Sequence, residues 1–293
     1  MSLMSLYFSG WLHPGENRSV DVGGLKRSYV VHVPKHHEKG PMPVVLALHG
    51  ATMNGPMMAW FTDLNSKADE AGFIAVYPNG TGKRSSFFWN GGRCCGSAVK
   101  ENVDDVAFIH ALLDDLMRAY SVDTQRVYVT GMSNGGIMAY RLAAELSDRI
   151  AAVAPVAGSM ATEVGTLKRP VPVLHFHGTK DEFIPFEGGK GPKSLTGTHF
   201  RSVEESVAVW VRANGCDDRP KVDRLSEAGD EMTVTRQTYG PGRGGAEVVL
   251  IVVEGGGHTW PGQKSPAKIL GKSASNISAN DLMWEFFQKH KIT

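Results

Sequence analysis

The stretch Gly131-Met132-Ser133-Asn134-Gly135-Gly136 contains the pattern G-x-S-x-G and governs the interpretation of the whole chain. An apolar run over 126–130 comes directly before it, and Ile137-Met138-Ala139-Tyr140 follows it. A serine between two glycines on a tight strand-to-helix turn is typical of a nucleophile that projects above the edge of a sheet. The same letters also fit an ordinary turn, in which glycine takes a positive φ and serine caps the helix. Only the surrounding sequence can separate these two interpretations.

The composition limits the classes of partner. The 293 residues include 31 Lys and Arg against 30 Asp and Glu, so the net charge is +1 with neutral histidines. This balance predicts neither a nucleic-acid partner nor an anionic membrane as partner. No stretch of the sequence approaches the roughly 18 apolar residues of a membrane span. The cysteines Cys94, Cys95 and Cys216 lack zinc-site spacing, so we expect no metal and no cofactor.

Apolar runs alternate with helical patterns along the chain. The alternation over 19–33 around Gly23-Gly24 predicts an antiparallel hairpin. Continuous apolar runs predict strands buried on both faces at 44–48, 73–77, 126–130, 150–156, 171–176 and 246–253. Helical spacing predicts helices at 60–71, 103–120, 135–146, 201–213 and 279–290. The pattern indicates the α/β class, with a doubly wound, mainly parallel sheet, an antiparallel N-terminal hairpin and no large cap domain.

We predict one domain over 1–293, with residues 1–15 as an expression tag or a disordered lead. Three polar, glycine-rich segments follow strands and form long loops, at 78–102, 186–200 and 261–277. In open α/β sheets, ligands bind beyond the carboxyl ends of the strands. We therefore expect the functional site at that edge of the sheet, among these loops.

A base for Ser133 is the next requirement, because a serine hydroxyl is a poor nucleophile until its proton is removed. Among the 11 histidines, His258 stands out because it follows the predicted strand 246–253 directly. The preceding Gly255-Gly256-Gly257 frees the backbone to bring the imidazole over the edge of the sheet. Without Ser133, His258 would be interpreted as an ordinary histidine in a surface loop.

An acid should orient that imidazole, and it should follow a strand between Ser133 and His258 in the chain. Asp181 lies a few residues after the predicted strand 171–176, and Glu182 is its adjacent competitor. The alternative is that Asp181 or Glu182 is simply a solvent-exposed charge without a role in catalysis. The order Ser…Asp…His is that of the α/β-hydrolases and differs from the orders in two unrelated classes of serine hydrolase. The order therefore favours Asp181 as the third member of a triad.

Two backbone donors are needed to hold the oxyanion of the reaction. One is the N–H of Asn134, directly after the nucleophile. The other should come from the loop after strand 44–48, where His49-Gly50-Ala51-Thr52 lies, and Ala51 is favoured. We expect His49 to support this loop and not to take part in the chemistry.

Two further pairs of side chains leave alternatives open. His175 and His177 share one face of a strand, and a role in the core is favoured over a metal site because no carboxylate or cysteine has matching spacing. Cys94 and Cys95 are either small buried hydrophobes or the two halves of a vicinal disulfide that shapes the substrate pocket.

The motifs together resemble the polyhydroxybutyrate depolymerase and feruloyl esterase family of α/β-hydrolases, over about residues 28–287. They are Leu48-His49-Gly50-Ala51, Trp89-Asn90, Cys94-Cys95-Gly96, Val103-Asp104-Asp105-Val106, Gly131-Met132-Ser133-Asn134-Gly135-Gly136, His177-Gly178-Thr179-Lys180-Asp181 and Gly255-Gly256-Gly257-His258-Thr259-Trp260-Pro261-Gly262. The resemblance implies an esterase that cleaves polyhydroxyalkanoate, feruloyl or acetyl esters through an acyl-enzyme, with Ser133, Asp181 and His258 as triad. It also implies a secreted or periplasmic protein. We expect the substrate pocket to be lined by Thr52, Trp89, Cys94, Cys95 and Trp260.

The chain departs from this family at two positions. Ala51 stands where members usually carry a cysteine, and a backbone donor survives that change. Members usually pair the cysteine of an Asn-Gly-Cys motif, here Cys216, with a later cysteine. This chain has Tyr239-Gly240-Pro241-Gly242 at that place, which leaves Cys216 without the partner.

Two rival functions remain beside a serine carboxylic-ester hydrolase. One is a peptidase or acyl-aminoacyl hydrolase on the same fold. The other is a non-catalytic polyester- or carbohydrate-binding protein that has kept a hydrolase fold. A binding protein needs neither Asp181 nor His258, so the presence of both favours the esterase.

Overall fold

The computed structural model describes residues 14–35, 40–83 and 86–293. Its strands are β1 (Glu16–Val22), β2 (Leu25–His32), β3 (Met42–Leu48), β4 (Ile74–Pro78), β5 (Thr81–Lys83), β6 (Ser86–Phe88), β7 (Val122–Met132), β8 (Ala152–Val156), β9 (Val173–Gly178), β10 (Lys221–Arg224), β11 (Val234–Tyr239) and β12 (Val248–Val253). Its α-helices are α1 (Gly55–Thr62), α2 (Leu64–Ala71), α3 (Gly96–Lys100), α4 (Asp105–Ala119), α5 (Asn134–Glu145), α6 (Val203–Asn214) and α7 (Ala279–Phe287).

One sheet contains ten of these strands, in the order β1-β2-β4-β3-β7-β8-β9-β12-β11-β10. The strands from β4 to β12 in this order run parallel to one another. β1 and β2 form the predicted antiparallel hairpin and join β4 antiparallel. The sheet confirms the α/β class and the mainly parallel arrangement.

The opposite edge of the sheet carries two antiparallel strands that the sequence did not predict. β10 pairs with β11, and β11 pairs with β12. Both strands are rich in polar side chains, and apart from Val234 their residues are exposed or half-buried. An edge strand needs no continuous apolar run, so the search for such runs missed them.

Helices cover both faces of the sheet, which is the doubly wound arrangement. Leu46 of β3 packs in one apolar layer with α4, α5 and α6, and the next residue, Ala47, packs in the other layer with α1, α2 and α7. Successive residues of a strand point to opposite faces, so a strand buried on both faces must be apolar throughout. That requirement explains why β3, β8 and β12 are continuous apolar runs.

The single helix predicted over 60–71 is wrong, because the structure divides this segment between α1 and α2. Asp63 separates the two helices with a φ of 50°, in the left-handed region that aspartate tolerates better than most side chains. Gly72 ends α2 with a φ of 76°, in the left-handed region that glycine adopts without strain.

The long loops at the carboxyl edge have little structure of their own, and the described residues form no separate cap domain. The hairpin β5–β6 and the short α3 lie within the loop after β4.

The expected lead over 1–15 lies outside the described residues except for Pro14 and Gly15, and the carbonyl of Pro14 accepts a 3.0 Å hydrogen bond from Asn65. Ten strands belong to one continuous sheet, and one domain over 1–293 stays a prediction. Within the described ranges, no helix is long and apolar enough to cross a bilayer.

Candidate active site

Ser133 occupies the turn between β7 and α5, with φ 57° and ψ −121°. A positive φ at a residue other than glycine is uncommon, and such strain gathers at functional sites. The Ser133 N–H donates to the Val156 carbonyl at 2.9 Å, which ties the turn to β8. A side chain at Gly135 would collide with the backbone carbonyl of Leu48, and one at Gly131 would meet the Gly135 carbonyl at 2.5 Å. The two glycines are therefore required by close backbone packing around the serine.

The side chain of Asn134 holds the turn from the other side. Its Oδ1 accepts from the Trp89 N–H at 2.8 Å, and its Nδ2 donates to the Trp89 carbonyl at 3.0 Å. The Trp89 indole donates to the His49 carbonyl at 3.0 Å. This clamp connects the loop after β4 with the turn and with the loop after β3. The sequence indicates a role for the backbone N–H of Asn134 but gives no signal for the role of its side chain.

Asp181 and His258 meet at the carboxyl edge of the sheet. His258 Nδ1 lies 2.7 Å from Asp181 Oδ2, and both side chains are buried. Asp181 Oδ1 accepts the backbone N–H groups of Phe183 and Ile184 at 2.8 and 2.9 Å, so the carboxylate is held at both oxygens. The competitor Glu182 is exposed and forms an ion pair with Lys193. The geometry therefore favours Asp181 as the partner of His258.

The electrostatics of this pair favour a charged carboxylate. Burial by itself would raise the pKa of Asp181. The positive charge of His258 and hydrogen bonds from His177 and His258 outweigh burial and hold that pKa below its usual value. Asp181 is consequently ionised at neutral pH, as a group that orients a histidine and stabilises its imidazolium must be.

A small cavity lies beside Ser133, at the edge of the sheet where the Asp181–His258 pair also lies. Its volume is about 30 Å³. Phe183 lines the cavity and stacks on the His258 ring, with centroids 4.9 Å apart. The lining residues are Ala51, Cys95, Ser133, Asn134, Ile137, Phe183, Ile184, Ser194, Leu195, Thr196 and Phe200. The cavity thus gathers the predicted nucleophile and both predicted oxyanion donors, with His258 behind Phe183.

The loop that carries Ala51 is fixed by two neighbours. The N–H of Thr52 donates to the Phe87 carbonyl at 2.8 Å. His49 Nδ1 bonds the Gly50 carbonyl at 2.8 Å, and its Nε2 accepts the Gly80 N–H at 3.0 Å. Burial lowers the pKa of His49 to about 4, so the ring is neutral at pH 7. His49 supports the loop, in agreement with the sequence analysis.

Cys94 and Cys95 form a vicinal disulfide. Cys95 lines the cavity, and Cys94 lies behind it in an apolar cluster with Ile137 and Phe200. Of the two alternatives for this pair, the structure has the disulfide, and it places the pair at the cavity wall. Cys216 is a free, half-buried thiol.

Three of the predicted pocket residues lie elsewhere. Trp89 is fully buried against Phe108, because its indole and backbone are used by the clamp on Asn134. Trp260 is also buried, and its indole donates to Asn280 Oδ1 at 3.0 Å. Thr52 is exposed beside Ala51 and is not among the lining residues. Large aromatic side chains stabilise the fold by filling the core, which accounts for the buried positions of both tryptophans.

The sequence model of the family described as esterase PHB depolymerase matches residues 27–182. NocK of Nocardia uniformis subsp. tsuyamanensis, named as an esterase, is 34% identical over 92% of this chain and 81% of its own. Feruloyl esterase B of Piromyces equi is 32% identical over 64% of this chain, which spans only 34% of that relative's length.

Solved structures show the same fold. The acetyl xylan esterase from Aspergillus awamori superposes with a TM-score of 0.65 at 18% identity, over 94% of this chain and 99% of that one. Identity at this level is evidence for the architecture alone, and it identifies the sheet and helices as an α/β-hydrolase fold. The family match covers more than half of the 293 residues, including the serine turn and Asp181. The chain therefore belongs to the esterase PHB depolymerase family and is a carboxylic ester hydrolase.

Proposed function

We propose that the chain hydrolyses esters of short carboxylic acids, with Ser133 as nucleophile, His258 as general base and Asp181 as the group that orients His258. The observation that carries the proposal is the 2.7 Å contact between His258 and Asp181, at the edge of the sheet that also carries the strained serine turn. The alcohol portion of the substrate is a polysaccharide, by analogy with the acetylxylan esterase among the relatives.

The first half of the reaction forms an acyl-enzyme. His258 takes the hydroxyl proton of Ser133 while Oγ bonds to the carbonyl carbon of the ester, and the carbonyl electron pair moves to oxygen. The N–H groups of Ala51 and Asn134 hold that oxyanion, and the start of α5 adds its positive dipole end. The bond from carbon to the alcohol oxygen then breaks, and the alcohol leaves with the proton from His258.

The second half releases the acid. Water gives a proton to His258 and adds to the acyl carbon, which forms a second oxyanion in the same place. The bond to Ser133 Oγ then breaks, and Oγ recovers the proton from His258. Ionised Asp181 stabilises the imidazolium in both halves.

The size of the cavity supports a short acyl group. A volume of about 30 Å³ is small, and it favours a short acyl group such as acetyl over a long or aromatic one. Apolar side chains on its wall, such as Ile137, Phe183 and Phe200, suit a methyl group.

We also propose that the chain acts in an oxidising compartment, as a secreted or periplasmic protein. The disulfide between Cys94 and Cys95 supports this proposal, because disulfides persist mainly in such compartments.

A panel of esters tests the function. We expect p-nitrophenyl acetate to be cleaved faster than the butyrate, octanoate and methyl ferulate, and Ser133→Ala to lose about 10⁴-fold or more in kcat. Ser194→Ala is the matched control, since this serine lines the same cavity without a catalytic role. Activity of Ser133→Ala within tenfold of the wild type would end the serine mechanism.

Adding a p-nitroanilide, polyester film and xylan to this panel separates the rival functions. Faster cleavage of a p-nitroanilide than of the matching ester would show a peptidase. Binding to polyester film or xylan without turnover of any ester would show a binding protein. If methyl ferulate were cleaved fastest, the protein would still be an esterase, but the proposal of a short acyl group would be wrong.

A further inference from the structure

A line of buried polar side chains leads from helix α5 to Asp181. The Tyr140 hydroxyl lies 2.8 Å from His175 Nδ1, and His175 Nε2 lies 3.0 Å from His177 Nδ1. His177 Nε2 lies 2.8 Å from the Ile184 carbonyl and 3.4 Å from Asp181 Oδ2. We call Tyr140, His175 and His177 the buried line. All three are at most 1% exposed, and the proposed reaction uses none of them.

One placement of hydrogens satisfies the whole line. The Tyr140 hydroxyl donates to His175 Nδ1, which puts the hydrogen of His175 on Nε2, where it donates to His177 Nδ1. The hydrogen of His177 must then be on Nε2, between the Ile184 carbonyl and Asp181 Oδ2. Burial and the neighbouring His177 hold the pKa of His175 well below its usual value, and burial raises that of Tyr140. Both groups are therefore neutral at pH 7, and the line has a fixed direction that ends at the carboxylate.

The surroundings of the line are apolar. Tyr140, Val173 and Trp210 belong to the apolar layer between the sheet, α5 and α6. Buried polar groups in such a layer destabilise the fold unless every donor and acceptor is satisfied, and apolar side chains of the same size would avoid that requirement. The line therefore needs a reason other than filling space.

The contacts of Asp181 supply that reason. Two backbone N–H groups hold Oδ1. Among the described residues, the side chains that contact Oδ2 are His258 at 2.7 Å and His177 at 3.4 Å. We propose that the buried line is a positioning device, in which His175 and Tyr140 fix the tautomer of His177 and His177 holds Asp181 Oδ2 toward His258. The proposal rests on the proposed function of Ser133, Asp181 and His258. No proton passes along the line, because each hydrogen stays on its atom throughout the reaction.

The kinetic test replaces the donor at Asp181. We expect His177→Leu to lose about 10–100-fold in kcat, as is typical of groups that orient a catalytic side chain, with KM within about twofold. His177→Gln should recover most of kcat, because its amide can accept from His175 and donate toward Asp181. Tyr140→Phe removes only the far end of the line and should lose less than His177→Leu.

A second readout needs no turnover. The downfield proton NMR signal of His258 Nδ1–H should be present in the wild type and in His177→Gln, and lost or shifted in His177→Leu. Trp210→Phe is the control for packing. Trp210 stacks on Tyr140 with centroids 6.1 Å apart, and its indole N–H has no hydrogen-bond partner among the described residues. This variant should leave both kcat and the signal unchanged.

Two results would overturn the proposal. One is an unchanged kcat and an unchanged NMR signal in His177→Leu. The other is a loss of kcat in His177→Gln or in Trp210→Phe that equals the loss in His177→Leu. Such a result would show that the buried line only fills the core. If Ser133→Ala kept its activity while the His258 signal responded to His177→Leu, the proposed function would fail and the positioning role would stand. If His177→Leu failed to fold, Tyr140→Phe would provide the test. An unchanged His258 NMR signal in Tyr140→Phe would contradict the proposal.

Discussion

His258 donates through Nδ1 to Asp181 Oδ2 at 2.7 Å, although 77 residues separate them in the chain. β9 and β12 are adjacent and parallel, so both side chains follow strands that end at the same edge of the sheet. The loops after these strands also contact each other, since the Lys180 N–H donates to the Gly256 carbonyl at 2.8 Å. The pair is consequently part of a rigid edge, and its separation is set by the sheet.

Asp181→Asn should lower kcat by about 10⁴-fold, because the amide favours the wrong tautomer of His258. Glu182→Gln should remain near the wild type, because Glu182 is exposed and its partner is Lys193. Steady-state kinetics on p-nitrophenyl acetate measures both. A larger loss in Glu182→Gln would reverse the assignment of the acid.

Acid should destabilise the wild type more than Asp181→Asn. Burial alone would raise the pKa of Asp181, but the charge of His258 and hydrogen bonds from His177 and His258 lower it below the unfolded value. A carboxylate of this kind stabilises the fold above the unfolded pKa of about 3.9, and the stabilisation is lost as the pH falls. Urea unfolding at pH 7 and pH 3 measures the difference. An equal decline in both proteins would contradict the expectation.

Asn134→Ala should lower both stability and kcat. It leaves the Trp89 N–H without its partner, at a cost of about 1–3 kcal/mol for a buried group, and it loosens the turn that holds the oxyanion donor. Asn280→Ala is the matched control, since Asn280 is buried and binds the Trp260 indole and the Thr62 carbonyl. The control should lose stability and keep kcat. Equal kcat values in Asn134→Ala and Asn280→Ala would show that the contact between Asn134 and Trp89 has no role in catalysis.

The cysteines should give one free thiol under denaturing conditions, that of Cys216. The double change Cys94→Ser and Cys95→Ser should give the same count. Because Cys95 lines the cavity, this variant should still cleave p-nitrophenyl acetate and should change the rate on bulkier esters. A count of three thiols in the wild type would show that the disulfide is absent. An equal loss of rate on every ester in the double variant would contradict a role of the two cysteines in the cavity wall.

Much of the fold could be predicted from the chain alone, because burial on both faces leaves a continuous apolar run. The central strands and the helices between them follow from such runs. β10 and β11 could not be predicted in this way, since strands at a solvated edge carry polar side chains. The break at Asp63 was also hidden, because the side chains on either side keep a helical pattern.

The sequence by itself determined the chemical identities at the site: a serine between required glycines, an acid after one strand and a histidine after another. It did so because a strained turn and a strand end each leave local signals. Only the tertiary structure decided that Trp89 and Trp260 belong to the core, that the Asn134 side chain clamps Trp89, and that Tyr140, His175 and His177 point toward Asp181. These relations depend on contacts between residues far apart in the chain, and no local pattern of hydrophobicity or turn residues records which of two buried side chains faces a site.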